Sequence, residues 1–111
     1  MRIFLLLILS FSTTMASERR IYIGTYTRDS DSDGIYTCLF DDERGTLSEP
    51  KLAAETDMPS FLAVHPEKDL LFACNEVNDY GGKDDAAVSA FRVDRDSGKL
   101  TLINQQPTGG A

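Results

Sequence analysis

Two stretches of this chain match each other fifty-three positions apart, and that repeat restricts the fold more than any other feature. Aligning residues 34–48 with residues 87–101 pairs Asp41 with Asp94, Gly45 with Gly98 and Leu47 with Leu100. Apolar Ile35 and Phe40 fall on Val88 and Val93 in the same register. Upstream, residues 21–24 match residues 71–74 in apolar character at a spacing of fifty, so the three-residue difference lies in the loop between. Each unit therefore reads strand, variable loop, strand, D-x-x-x-G-x-L turn, strand. The turn has a mechanism: the Asp carboxylate caps it, Gly supplies the positive φ that closes it, and Leu returns the chain to an apolar face.

The rest of the pattern is also β. Residues 21–26, 35–40, 61–64, 70–74, 87–93 and 100–103 are short runs rich in β-branched, aromatic and other apolar residues, separated by clusters of Asp, Gly, Ser, Asn and Pro. No run of eleven residues carries a helical period. The best helical candidate, residues 51–56, is too short to stand alone. A β-hairpin repeat of about fifty residues points to an all-β fold of propeller blades, each of four antiparallel strands. The second blade, about residues 59–106, lays out in full: inner strand 61–64, second 70–75, third 87–93, outer 100–104. The first, about residues 20–56, has a second strand (21–26), a third (35–40) and an outer strand (47–52) but no inner strand. A strand from the C-terminus of a longer parent is expected to fill that place. Rings close with about four to eight blades. Residues 17–111 therefore read as the N-terminal part of a propeller, a fragment or truncation, with a self-contained small β-sandwich as the alternative.

Residues 1–16 read as a signal peptide. Arg2 gives the positive start, residues 3–11 an almost unbroken apolar run, and Thr14 and Ala16 the small residues of a cleavage site before Ser17. The run is shorter than the roughly 20 residues that span a bilayer. This predicts a secreted or periplasmic protein with no membrane span after cleavage; an uncleaved anchor is the alternative. Eighteen acidic against 11 basic residues give a net charge of −7, which argues against a nucleic-acid partner. Cys38 and Cys74 lie in strand-like runs and read as two buried free thiols. No metal-ligand spacing and no cofactor motif is present.

Several segments together resemble a known family. Residues 23–27 (Ile-Gly-Thr-Tyr-Thr) followed by Gly34, Ile35 and Tyr36, then residues 59–66 (Pro-Ser-Phe-Leu-Ala-Val-His-Pro), 71–77, 87–91 and 106–111, are similar in order and gap to the opening of the lactonase-type, 6-phosphogluconolactonase-like, seven-bladed propellers. The resemblance covers about residues 20–111. It implies hydrolysis of a sugar lactone to the aldonic acid, a small-molecule lactone as partner, no cofactor, and a monomer when full length. The catalytic His and Arg proposed for the family would lie beyond Ala111, so the catalytic residues here are unassigned and this piece alone is expected to be inactive. The export signal points away from a phosphorylated cytosolic metabolite. A secreted, non-catalytic binding scaffold is the competing function.

Propeller geometry sorts the loops onto two rims. One holds residues 27–33, 55–60, 76–86 and 105–111; the other holds 41–46, 65–69 and 94–99. The first rim carries the blade-to-blade connections, where a ligand is expected. Glu76 and Asn75 end a strand there and are the leading substrate-binding candidates. Tyr26 and Thr27 hold the matching place in the first blade, and Ser60, after Pro59, leads into the inner strand. The sole histidine, His65, falls on the opposite rim and reads as a turn residue. Residues 79–85 read as a flexible loop rather than a cation site, since their carboxylates lack an EF-hand spacing.

Overall fold

The computed structural model describes residues 17–110, so the expected signal peptide lies outside the described residues. Two antiparallel sheets account for nearly all regular structure. The first contains β1 (Glu18–Ile23), β2 (Gly34–Asp41), β3 (Thr46–Leu47) and β4 (Lys51–Glu55); the second contains β5 (Pro59–Val64), β6 (Leu70–Asn75), β7 (Ala87–Val93) and β8 (Leu100–Pro107). Tyr80–Gly82 forms a 3₁₀ turn. The second sheet runs β5-β6-β7-β8, the four-stranded meander expected of a blade. In the first, β3 and β4 both pair with β2 along the edge opposite β1, at Phe40 with Leu47 and Tyr36 with Leu52. They lie end to end as one interrupted outer strand, so among the described residues this sheet is three strands wide, with no strand paired to the other edge of β1.

The interruption has a local cause. Pro50 has no N–H to give to a ladder. Ser48 keeps the pairing alive just before it: its N–H donates to the Leu39 carbonyl at 2.9 Å and its Oγ accepts from the Leu39 N–H at 2.8 Å. Beyond the break, residues 51–55 are strand rather than the start of a helix, because the open edge of β2 offers partners that a single helical turn lacks. β1 lies three residues earlier than the apolar run suggested. Glu18, Arg19 and Arg20 pair with Asp41, Phe40 and Leu39 through backbone bonds that do not depend on side-chain polarity. The strand stops before Gly24, where a Cβ would stand 2.0 Å from the Pro59 carbonyl oxygen; only glycine permits that approach between the sheets.

The repeated turn is built the same way twice. Asp41 Oδ1 accepts from the N–H groups of Glu43 (3.0 Å) and Arg44 (3.2 Å), and Asp94 Oδ1 from those of Asp96 (2.9 Å) and Ser97 (3.2 Å). Gly45 and Gly98, at φ 67° and 79°, each donate to the carbonyl of their Asp at 2.8 Å. The Ser97 and Asp96 N–H groups hold the Asp94 carboxyl below its ordinary pKa. His65 closes the β5–β6 hairpin on the same pattern: its Nδ1 accepts from Glu67 N–H (3.1 Å) and Lys68 N–H (3.0 Å).

The core lies between the sheets. Ile35 and Ala53 from the first meet Leu71, Ala73, Phe91 and Leu100 from the second, with Tyr22 and Leu62 against them. Alternation puts Leu71, Ala73 and Asn75 of β6 on that inner face. Cys74 therefore points to the far side and is exposed, whereas Cys38 is buried; both are free. The expectation of two buried thiols thus holds for Cys38 only, since the face on which Cys74 stands has no covering layer among the described residues.

Candidate functional site

The loops assigned to the first rim are cross-linked by side chains. Arg28, in the β1–β2 loop, reaches the β4–β5 connection and the β6–β7 loop together. Its Nε and Nη2 donate to Asp57 Oδ1 (3.3 Å) and Oδ2 (2.7 Å), and Nη2 donates also to Asp79 Oδ1 (3.0 Å). Thr27 Oγ donates to Asp57 Oδ1 at 3.0 Å and accepts from Met58 N–H at 3.0 Å. The Arg28 guanidinium, with help from Thr27, holds the Asp57 carboxyl below its usual range, and the two aspartates raise the Arg28 pKa further.

Met58 is a second unusual feature. Its φ of 47° is in the left-handed region, a strained choice for a residue with a side chain. That twist turns its carbonyl to accept from Ser60 N–H (2.8 Å) and Glu76 N–H (2.9 Å). One backbone carbonyl thereby ties the blade connection to the end of β6 and fixes where Glu76 leaves the sheet.

Beneath these loops lies a buried amide network. Asn75 is 2% exposed and Ser89 is fully buried. Asn75 Nδ2 donates to Thr56 Oγ (2.8 Å) and to the Asp57 carbonyl (2.5 Å). Its Oδ1 accepts from Ser89 Oγ (2.6 Å) and Gln105 Nε2 (3.4 Å), and Gln105 Nε2 also donates to Ser89 Oγ (2.9 Å). Both amide protons and the amide oxygen are thus engaged within the protein.

Two clefts open beside Arg28. One, of about 340 Å³, is lined by Arg28, Asp57, Asn75, Asp79, Tyr80 and Gln105 among others. The other, of about 310 Å³, is lined by Arg28, Met58, Glu76, Val77 and Asn78. Of the residues singled out from sequence, Glu76 borders the second cleft with its side chain exposed, and Thr27 sits behind the Arg28 clasp. Asn75 lies at the floor of the first. Tyr26 is 59% exposed and lines neither cleft. Ser60 is exposed at the start of β5, also outside both. The 79–85 segment is tied down rather than loose: Tyr80 N–H donates to the Asp85 carbonyl (3.0 Å), and Asp85 Oδ1 accepts from Thr108 Oγ (3.2 Å), Gly109 N–H (3.0 Å) and Gly110 N–H (3.1 Å).

Sequence reasoning does not single out Arg28 or Asp57, and reads Asp79 only as part of a flexible loop. A usable signal existed: Arg28 and Lys83 are the basic residues in loops that hold half of the chain's 18 acidic ones. His65 stands at the opposite rim, beside a cleft of about 260 Å³ lined by Arg20, Tyr22, Val64, Pro66 and Val93 among others. Among the described residues, no group of three or more His, Cys, Asp or Glu is arranged to hold a metal ion.

Comparison with known proteins finds the same architecture. The family profile described as lactonase, 7-bladed beta-propeller, matches residues 20–111. The 6-phosphogluconolactonase of Bacillus subtilis is 38% identical over 89 residues, which cover 80% of this chain and 24% of that protein. Among solved structures, a candidate 6-phosphogluconolactonase from Bacteroides fragilis is 39% identical with a TM-score of 0.76, the match covering 88% of this chain and 26% of that one. The periplasmic gluconolactonase of Pseudomonas aeruginosa is 36% identical with a TM-score of 0.72, covering 83% and 25% respectively. The chain thus spans about a quarter of the length of these relatives.

Proposed function

The chain belongs to the lactonase family of seven-bladed β-propellers, and from that premise we propose that it contributes the opening blades of a larger ring that hydrolyses a sugar lactone to the aldonic acid. The observation that carries the reading is the cleft beside Arg28, which gathers side chains from the first blade, the blade connection and the second blade on one rim. Support comes also from the relatives, one named a 6-phosphogluconolactonase and one a periplasmic gluconolactonase.

Lactone hydrolysis needs a base to activate water and donors to stabilise the oxyanion. In this reading those groups are assigned to the other blades. The residues described here bind and orient. Glu76 accepts hydrogen bonds from sugar hydroxyls. Arg28, held in place by Asp57 and Asp79, presents its remaining N–H groups to the substrate. Asn75 acts from behind, fixing the Asp57 backbone, while Tyr26, Thr27 and Ser60 shape the surrounding rim. The same reading takes residues 1–16 as a cleaved export signal and places the protein outside the cytoplasm. This agrees with the periplasmic location of the Pseudomonas relative. No helix among the described residues is long and apolar enough to cross a membrane.

The test is hydrolysis by the whole propeller, with 6-phosphogluconolactone and unphosphorylated gluconolactone assayed side by side. Turnover of at least one is expected, with KM raised by Glu76→Gln. No turnover of either would replace the enzyme with a binding scaffold.

A further inference from the structure

Resting on the lactonase reading, we infer that the cleft beside Arg28 takes the hydroxyl face of an uncharged sugar lactone and discriminates against a phosphorylated one. An Arg at a ligand rim would ordinarily suggest an anion, because its planar fork matches phosphate. Here one edge of the fork is already filled, and only Nη1 stays open. Asp57 takes Nε and Nη2 in a two-point pair, and Asp79 takes Nη2 as well. A phosphate entering on that side would have to displace two carboxylates from the one guanidinium of the cleft.

Apart from Nη1 of Arg28 and the Asn78 amide, which both donates and accepts, what remains facing the clefts is acceptor: the uncommitted oxygen of Asp79 and the carboxylate of Glu76. Carboxylates accept and do not donate. Sugar hydroxyls supply the missing donors, whereas a phosphate dianion brings only more acceptors and charge. The Asp57 carboxyl, lowered by Arg28, stays ionised throughout the neutral range. One guanidinium set against Asp57, Asp79 and Glu76 leaves the pair of clefts net negative. Lys83, the other basic residue of these loops, lines neither. The surrounding loops extend that field, since they carry half of the chain's acidic residues.

The test uses the whole propeller and saturation-transfer difference NMR, which reads the ligand. The probes are D-glucono-1,5-lactam, a neutral and hydrolysis-resistant lactone mimic; 6-phosphogluconate; and gluconate, which isolates the effect of the carboxylate. Saturable binding of the lactam is expected, with 6-phosphogluconate at least tenfold weaker at low ionic strength. Raising the salt should narrow the gap, as should the paired change Glu76→Gln and Asp79→Asn. Equal or tighter binding of 6-phosphogluconate would overturn the inference, as would an absent lactam signal or a ratio unmoved by the paired change. Failure of the lactonase reading looks different: neither lactone is hydrolysed by the whole propeller, while the binding ratio persists.

Discussion

Replacing Asn75 separates a brace from a ligand-contacting group. The side chain is 2% exposed and makes two donations and two acceptances inside the protein. At about 1 kcal/mol net per bond, Asn75→Ala removes the bonds to Thr56, the Asp57 carbonyl and Ser89 and the long one to Gln105, and leaves that carbonyl short of a partner. Ser89 and Gln105 keep their mutual bond, which limits the loss. The expected cost is about 2–3 kcal/mol, or roughly 10–20 °C in Tm for a domain of this size. Asn75→Asp is the sharper test. At neutral pH it sets a buried carboxylate 2.5 Å from the Asp57 carbonyl, with no donor to offer it. Desolvation and that carbonyl should raise its folded pKa above the unfolded value of about 3.9. The protonated variant then retains its stability below pH 4, and the deficit grows as pH rises through the folded pKa. Urea unfolding at pH 4 and pH 7 measures both effects. A cost below about 0.5 kcal/mol for Asn75→Ala, or an Asn75→Asp deficit that shrinks toward neutral pH, would refute the assignment of Asn75 as a buried brace.

The twin turns predict unequal glycine costs. Gly45→Ala meets nothing within 4 Å and should cost about 1 kcal/mol for its positive φ, whereas Gly98→Ala would also place its Cβ 2.2 Å from the Arg20 guanidinium and should cost more by thermal melt. His65→Asp should preserve the β5–β6 turn, because a carboxylate at that place can accept the same two N–H groups, while His65→Ala should lose about 1 kcal/mol. The Arg28–Asp57 clasp contributes fully above the unfolded carboxylate pKa and is lost as pH falls through the lower folded one. The protection factors of the Met58 and Ser60 amides against exchange should therefore fall below about pH 4. Because both partners are exposed, Arg28→Met should change global stability by less than about 1 kcal/mol.

What the sequence made legible was local or repeated. Asp41 and Asp94, with Gly45 and Gly98, announced two turns that share the carboxylate and glycine hydrogen bonds. β6 and β7 have the bounds their apolar runs implied, because both are interior strands whose side chains must suit two neighbours. Edges were less legible. β1 pairs through polar Glu18 to Arg20, and β8 continues through Asn104, Gln105 and Gln106, since an edge strand faces fewer constraints on its side chains. Glu76 was recognisable as a carboxylate at a strand end. The buried state of Asn75 was not, because it depends on Ser89 and Gln105 from two other strands. The Arg28 clasp was least legible of all: it joins positions 28, 57 and 79, which only the stacking of two blades brings within 3.3 Å.

The proposed ligand rim is the one that Arg28 ties together. A crystal structure of the whole propeller with D-glucono-1,5-lactam addresses this directly. It should show the lactam against Glu76 and the Arg28 clasp, with the Arg28–Asp57 pair intact. Ligand density at the opposite rim, beside His65 and Tyr22, would contradict it.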